Sequence, residues 1–274
     1  MSTTERFSNR VRDYVSGRPG YPDAVVSWLA ETFGLEPGST VADVGAGTGI
    51  SAALFLRHGY DVIAIEPNAP MREAAVAALG SDPRFCAVAA PAEATTLPPA
   101  SVGLIVAAQA FHWFDRAAFR AECARILKPS GIVALLWNVR RVEGSPFAAA
   151  YEALLRTFGT DYLTVRHENV TEGELAQFFE GPFERRVFDN VQLLDRDGLR
   201  ARLLSSSYVP AAGQDQYEPM LVALEELFRA HQRGGVVPME YELRAYAGRL
   251  PSPSDPARHP PSQRPTGSTP SNAS

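Results

Sequence analysis

A glycine-rich turn set between two short apolar runs limits what this chain can fold into more than any other feature. Thr40 to Val44 is rich in valine and reads as a buried strand. Gly45-Ala46-Gly47-Thr48-Gly49 follows, then Ile50 to His58 with apolar residues at helical spacing. A second apolar strand, Asp61 to Ile65, ends on Glu66. Strand, turn, helix, strand and terminal acid make a βαβ unit of the nucleotide-binding kind. Glycines in such a turn let the backbone approach a ligand closely, and the N-terminus of the following helix favours an anionic group. Glu66 lies about 20 residues beyond the first glycine, the distance at which a strand-end carboxylate meets a ribose diol.

The rest of the chain extends this unit into a sheet. Asp23 to Phe33 reads as a helix with Pro22 at its start and Gly34 near its end. Asn68 is placed to cap a helix over Ala69 to Leu79, which Gly80 stops. Phe85 to Ala90 reads as a third strand and Gly103 to Ala108 as a fourth. The fourth exits into the aromatic segment Gln109-Ala110-Phe111-His112-Trp113-Phe114-Asp115. A helix over Arg116 to Leu127, a Lys128-Pro129-Ser130-Gly131 break and a fifth strand, Ile132 to Trp137, come next, leading to Arg140 and Arg141. Beyond 142 the rhythm changes. Helices over Phe147 to Phe158, Thr171 to Phe179, Asp195 to Ser205 and Tyr217 to Gln232 surround two further strands, Phe183 to Leu193 and Val236 to Gly248. The expected fold class is α/β: a Rossmann-like, doubly wound, mostly parallel seven-stranded sheet, one strand antiparallel, with a helical insertion or cap over 142–235.

Composition narrows the partners. At 274 residues with 45% hydrophobic content, the chain can bury the core of one large domain, here 1–250. Residues 251–274 are rich in proline and serine with almost nothing apolar, and read as a disordered tail. A net charge of −5 with scattered Lys and Arg argues against nucleic acid as a partner. The 2 cysteines, Cys86 and Cys123, are too few for a disulfide framework, and with the 5 histidines they show no metal-ligand spacing. Met1 to Arg12 is polar and charged, unlike a signal peptide, and no apolar run approaches the roughly 20 residues of a membrane helix. The expectation is a soluble, cytoplasmic protein.

The order Asp43-x-Gly45-x-Gly47-x-Gly49 brings the third glycine one residue earlier than a dinucleotide fingerprint does. That spacing looks like motif I of the class I S-adenosylmethionine (SAM) methyltransferases. Together with Tyr14-x-x-x-Arg18-Pro19-Gly20-Tyr21-Pro22, AQAFHWFD at 108–115, LKPSGIVALLWN at 127–138 and YELRAYAGRL at 241–250, the chain resembles the small-molecule methyltransferases of the methyltransferase-11 type, in the branch with trans-aconitate methyltransferase-like enzymes. The similarity spans about residues 5 to 250.

The resemblance implies SAM as cofactor, S-adenosylhomocysteine as product, and a small-molecule acceptor. It implies that Asp43 bonds the SAM amino group, that Gly45, Ala46, Gly47, Thr48 and Gly49 make room for the methionine part, and that Glu66, followed by Pro67, holds the ribose. Met71, Ala92 and Glu93 would border the adenine, although a methionine at helical spacing also suits a core. Gln109 would stand where the methyl group sits. Tyr14, Arg18 and Tyr21 suggest a lid over 1–21, or a helix docked on the sheet. For the acceptor, the candidates are Tyr21, His112, Trp113, Arg140 and Tyr208, the last within the segment Ser205 to Tyr208. His112 is also the one candidate base, or a ring packed among Phe111, Trp113 and Phe114. Arg140 and Arg141 either meet an acidic acceptor or are solvated. A non-catalytic protein that senses SAM or an adenosyl metabolite is the alternative reading, and a Rossmann oxidoreductase the third.

Overall fold

The structure, a computed structural model, describes residues 17–160, 162, 170–206 and 208–251. Tyr14, most of the expected lid, Ser207 and the tail from 252 lie outside the described residues. The elements in chain order are α1 (Ala24–Phe33), β1 (Thr40–Val44), α2 (Ile50–Arg57), β2 (Asp61–Ile65), α3 (Ala69–Leu79), β3 (Phe85–Val88), β4 (Val102–Ala108), a 3-10 turn (Phe111–Trp113), α4 (Arg116–Ile126), β5 (Leu127–Arg140), α5 (Pro146–Phe158), α6 (Glu172–Phe179), β6 (Phe183–Leu194), α7 (Arg196–Leu204), α8 (Tyr217–His231) and β7 (Val237–Gly248).

The seven strands form one sheet in the order β3-β2-β1-β4-β5-β7-β6. The first five are parallel; β7 runs antiparallel to both β5 and β6. Strand residues alternate between the two faces, and each face has its own core. Val41, Leu104, Val106, Ile132, Ala134 and Leu136 pack with α1 and α2. Ala42, Val44, Ile105, Ala107, Val133 and Leu135 pack with α4 and α6. Near-continuous apolar strands are what a sheet covered on both faces requires. The strand order reverses between the parallel β1 and β4, where chain connections leave in opposite senses, and ligands of open α/β sheets collect beyond such a point.

Local chemistry sets several boundaries. Gly34 takes φ 72° and its amide donates to the Ala30 carbonyl, ending α1. Asn68 accepts from the Met71 amide and starts α3. Thr171 and Glu174 form a reciprocal capping box at α6.

One expectation needs correcting. β5 is longer than Ile132 to Trp137, because Leu127 pairs with Val102 and the ladder resumes, after a register shift, at Leu104 and Ile132. The Lys128–Gly131 break is therefore an irregularity inside a strand rather than a loop before it. The stretch 142–235, expected as a partly helical insertion or cap whose strand joins the sheet, divides in two. α6 adds Leu175, Phe178 and Phe179 to the core under the sheet, and β6 pairs along its whole length with β7. Only α5, α7 and α8 build a separate apolar cluster, around Tyr151, Leu155, Leu199, Leu203 and Met220, against the ends of β6 and β7.

Candidate functional site

The turn after β1 is tied to β2 by its own backbone. The amides of Gly45 and Ala46 both donate to the Ile65 carbonyl, at 2.8 and 3.2 Å. Gly45 and Gly47 take φ 69° and 56°, which an L side chain adopts only with strain. They differ in what surrounds them: a Cβ on Gly45 would lie 2.6 Å from the Ala110 Cβ, whereas one on Gly47 meets nothing within 4 Å. Gly45 is thus packed against the β4 exit, and Gly47 faces open space. Glu66 closes the other side. Its Oε2 accepts from the Gly47 amide at 2.9 Å and its Oε1 from the Asn68 amide at 2.8 Å. Burial pushes the Glu66 carboxyl up, and the two amides and Arg72 pull against that. α2 begins at Gly49 with no side-chain cap from that residue, and in its first turn the Ala52 amide donates to the Asp43 carboxylate.

The exit of β4 is shaped by Gln109, a non-glycine residue held at φ 57°. A single such residue costs on the order of 1–3 kcal/mol and persists where its surroundings fix it. Here the Gln109 amide donates to the Leu136 carbonyl and its Nε2 to the Asn138 carbonyl, each at 2.9 Å. The aromatic segment then divides. Phe111 is buried edge-on against Phe178, with ring centroids 4.8 Å apart. His112 and Trp113, with centroids 4.7 Å apart, turn towards the cavity. Glu93 holds this segment by accepting from the Asp115 amide at 2.9 Å.

The far side is closed by the chain before α1. The Gly20 carbonyl accepts from Asn138 Nδ2 at 3.1 Å and Asn190 Nδ2 at 2.8 Å, and the Gly17 carbonyl accepts from Gln192 Nε2 at 3.2 Å. Arg18 Nη2 donates to the Ser205 carbonyl at 3.0 Å. Because Asn138 lies near the end of β5 while Asn190 and Gln192 lie on β6, this segment sits on the β5–β6 side, across β1 and β4 from Glu66. It brings Arg18 and Tyr21 together with Tyr208.

A cavity of about 320 Å³ joins these walls. Of the residues singled out in the sequence, Arg18, Tyr21, Gly45, Ala46, Gly47, Thr48, Glu66, Pro67, Met71, Ala92, Glu93, Gln109, His112, Trp113 and Tyr208 line it. Asp43 and Gly49 stand behind the turn instead. Asp43 is fully buried; its Oδ2 accepts from Ser51 Oγ at 2.7 Å, and burial pushes its carboxyl up to about 7. It braces the start of α2 and does not reach the cavity. A Cβ on Gly49 would lie 2.8 Å from Leu79, so this glycine serves the packing of α2 on α3.

Arg140 is the other correction. Instead of meeting an acceptor, it turns inward to Glu152 at 2.5 Å and Tyr162 at 3.0 Å. Arg141 pairs with Asp189 at 2.6 Å. Residues not named as site candidates from the sequence also line the cavity: Ile50, Ser51, Asn68, Ala108 and Ala110, with Phe114 of the aromatic segment and Pro91 beside Ala92 at a strand end. Adjacency to the turn and to strand ends was the available signal for them. Among the described residues, no group of three metal-ligating side chains exists, and no helix is long and apolar enough to cross a membrane.

The comparisons with known proteins agree with this geometry. Residues 42–135, from β1 to β5, match the family model described as a methyltransferase domain. That stretch is similar to a methyltransferase domain. An uncharacterized methyltransferase of Mycobacterium tuberculosis is 37% identical to this chain over 134 residues, 49% of it and 52% of the relative. One from Schizosaccharomyces pombe is 33% identical over 135 residues, again 49% and 52%. The chain therefore spans about half the length of the curated relatives it matches. Among solved structures, a provisionally assigned type II methyltransferase from Anaeromyxobacter dehalogenans superimposes with a TM-score of 0.62 at 27% identity, covering 85% of this chain and 99% of that one. A second, a provisional methyltransferase from an antibiotic biosynthesis pathway of Anabaena variabilis, has a TM-score of 0.53 at 22% identity and the same coverage, and supports the fold alone. The sheet order and the mixed, mostly parallel strands are those of a Rossmann-like methyltransferase fold.

Proposed function

We propose that this chain is a SAM-dependent methyltransferase that modifies a small molecule, with a carboxylate oxygen as the accepting atom. The observation that carries the reading is one cavity reaching from Gly47 and Glu66, through the β4 exit, to His112, Trp113 and Tyr208. A protein that only sensed the cofactor would have no need of the second half.

The residues present fit the cofactor. Glu66 has both oxygens fixed by backbone amides and keeps lone pairs for a ribose diol. Gly47 opens onto unfilled space, and Thr48 Oγ1 is buried on the cavity wall with no hydrogen-bond partner. The turn and the start of α2, at Ile50 and Ser51, would receive the methionine part, while Met71 and Ala92, both buried on the cavity wall, would border the adenine. When bound, the cofactor supplies a methyl group already activated by a positive sulfur.

The chain's own contribution is then to orient the acceptor and exclude water. Gln109, pinned by two hydrogen bonds, fixes the wall at the β4 exit. Trp113 and Phe114 give the adjoining wall an apolar surface. A carboxylate acceptor carries no proton to remove, so His112 would position it rather than act as a base. The net charge of −5 disfavours a nucleic-acid acceptor.

Calorimetry with SAM, S-adenosylhomocysteine and NAD, followed by tritiated-methyl incorporation into small molecules of a cell extract, tests the reading. The expected result is binding of the two adenosyl compounds and label in an acid-bearing product. Binding without incorporation would favour a sensor, and preferential binding of NAD an oxidoreductase.

A further inference from the structure

Arg202, on α7, is buried at 6% exposure. Its Nε donates to Tyr241 Oη at 2.9 Å and its Nη1 to Ser206 Oγ at 3.1 Å, with the guanidinium 6.0 Å from the Tyr241 ring centroid. No carboxylate pairs with it among the described residues. Arg140, the neighbouring buried arginine, shows the contrast, since it is matched by Glu152. A buried cation is costly unless an anion or a set of hydrogen bonds compensates it. Three phenols, Tyr151, Tyr208 and Tyr241, surround the Arg202 charge.

One of those phenols opens onto the cavity. Ser206, itself buried, accepts from Arg202 and hydrogen-bonds Tyr208, which lines the cavity wall. The chain of hydrogen bonds is directional. Arg202 has only donors, so Ser206 accepts from it and keeps its own hydrogen to give; with that hydrogen on Tyr208, the Tyr208 hydroxyl hydrogen points onward. Burial alone would raise the Tyr208 phenol, but the charge of Arg202 and the Ser206 bond outweigh it and lower it. That makes the hydroxyl a stronger donor. Arg18 lies on the same wall and adds to the positive field at Tyr208.

We propose that Tyr208, polarised through Ser206 by the buried Arg202, is the point at which the acceptor half of the cavity recognises an anionic oxyacid group, a carboxylate or a phosphate, on its ligand. This rests on the methyl-transfer reading of the same cavity, and it names as the recognition residue Tyr208 instead of Arg140 or Arg141. Tyr208 and Arg202 would set specificity and hold the acceptor; neither would carry out the transfer.

The test is calorimetric titration of the full chain with succinate, with inorganic phosphate and with the uncharged isostere succinamide, each with and without S-adenosylhomocysteine. Saturable binding of succinate or phosphate at least tenfold tighter than succinamide is expected, and which of the two binds separates a carboxylate from a phosphate site. Tyr208→Phe keeps the ring in its packing and should weaken the anion about tenfold while S-adenosylhomocysteine affinity stays as in the parent. Arg202→Lys, which keeps the charge, should retain more anion affinity than Arg202→Met. If Arg202→Met does not fold, the Tyr208→Phe comparison still decides. Equal binding of succinate and succinamide, no saturable anion binding, or an unchanged anion affinity in Tyr208→Phe overturns the proposal. Loss of S-adenosylhomocysteine binding in the parent protein alone would instead count against the methyltransferase reading.

Discussion

The Gly47 amide donates to Glu66 Oε2 at 2.9 Å, joining the tip of the glycine turn to the acid that ends β2. Nineteen positions separate the two residues. The carboxylate expected to meet a ribose therefore also holds the turn in place, so the two halves of the cofactor's bed are one hydrogen-bonded unit.

Glu66→Ala should therefore do two things. It removes a charged acceptor worth about 1.5–3 kcal/mol in cofactor affinity, and it leaves the buried-side amides of Gly47 and Asn68 without their partner. Calorimetry with S-adenosylhomocysteine should show roughly a tenfold to hundredfold loss, with a lower melting temperature even without ligand. A variant that loses affinity at unchanged melting temperature would contradict the bracing role.

Gly47→Val and Gly49→Val should part company. At Gly47 the added carbons project into open space, with a cost of about 1–2 kcal/mol for the left-handed backbone, so the fold should survive and cofactor binding should be lost. At Gly49 the same backbone cost is joined by a collision with Leu79, and the fold itself should weaken further. Denaturant melts beside cofactor titrations separate the two; equal stability in both variants would disprove the distinction.

Asp43 gives a pH dependence with a definite sign. Its carboxyl is raised by burial from 3.8 to about 7 in the folded chain, so between those values the folded state keeps a proton that the unfolded state has lost. Stability of the ligand-free protein should then fall as pH rises through this window, by roughly 4 kcal/mol at most from this group, and level off above it. Asp43→Asn carries no such proton and should show a shallower fall. Denaturation midpoints measured from pH 4 to 8 for both proteins provide the check; parallel profiles would exclude the buried acid as the source.

Arg140→Met should cost stability without touching the cofactor. Arg140 and Glu152 have side chains 10% and 8% exposed, and removing one partner of such a pair costs about 3–5 kcal/mol because the other stays buried and charged. Arg140→Met with Glu152→Leu should recover much of the loss. If the single variant instead retained full stability but lost acceptor turnover, Arg140 would belong to the site after all.

The sequence made β1, β2, α3 and the turn between them legible almost to the residue, because apolar runs, glycines and an asparagine cap act locally. It was less informative about β5, where Pro129 and Gly131 look like a break; the pairing of Leu127 with Val102 across the sheet overrides that local signal. Arg140 shows a different limit. Its place at a strand end was readable, but the direction of its side chain depends on where α5 docks and carries Glu152. Of the Arg202–Ser206–Tyr208 chain, the sequence showed Tyr208 and its segment but not the arginine behind them. Arg202 reads as one more charged residue of an amphipathic helix, and only the packing of α7 against β7 puts it beside Tyr241.

The segment before α1 is fastened to the sheet by amide side chains on backbone carbonyls: Asn138 and Asn190 on Gly20, and Gln192 on Gly17. None of these fasteners carries a charge or titrates in the physiological range, and salt screens only charged attractions. The strength of these three bonds is therefore nearly the same in dilute buffer and in concentrated salt. The charged fastener of the segment is Arg18 on the Ser205 carbonyl, so any response of this latch to ionic strength runs through that one side chain.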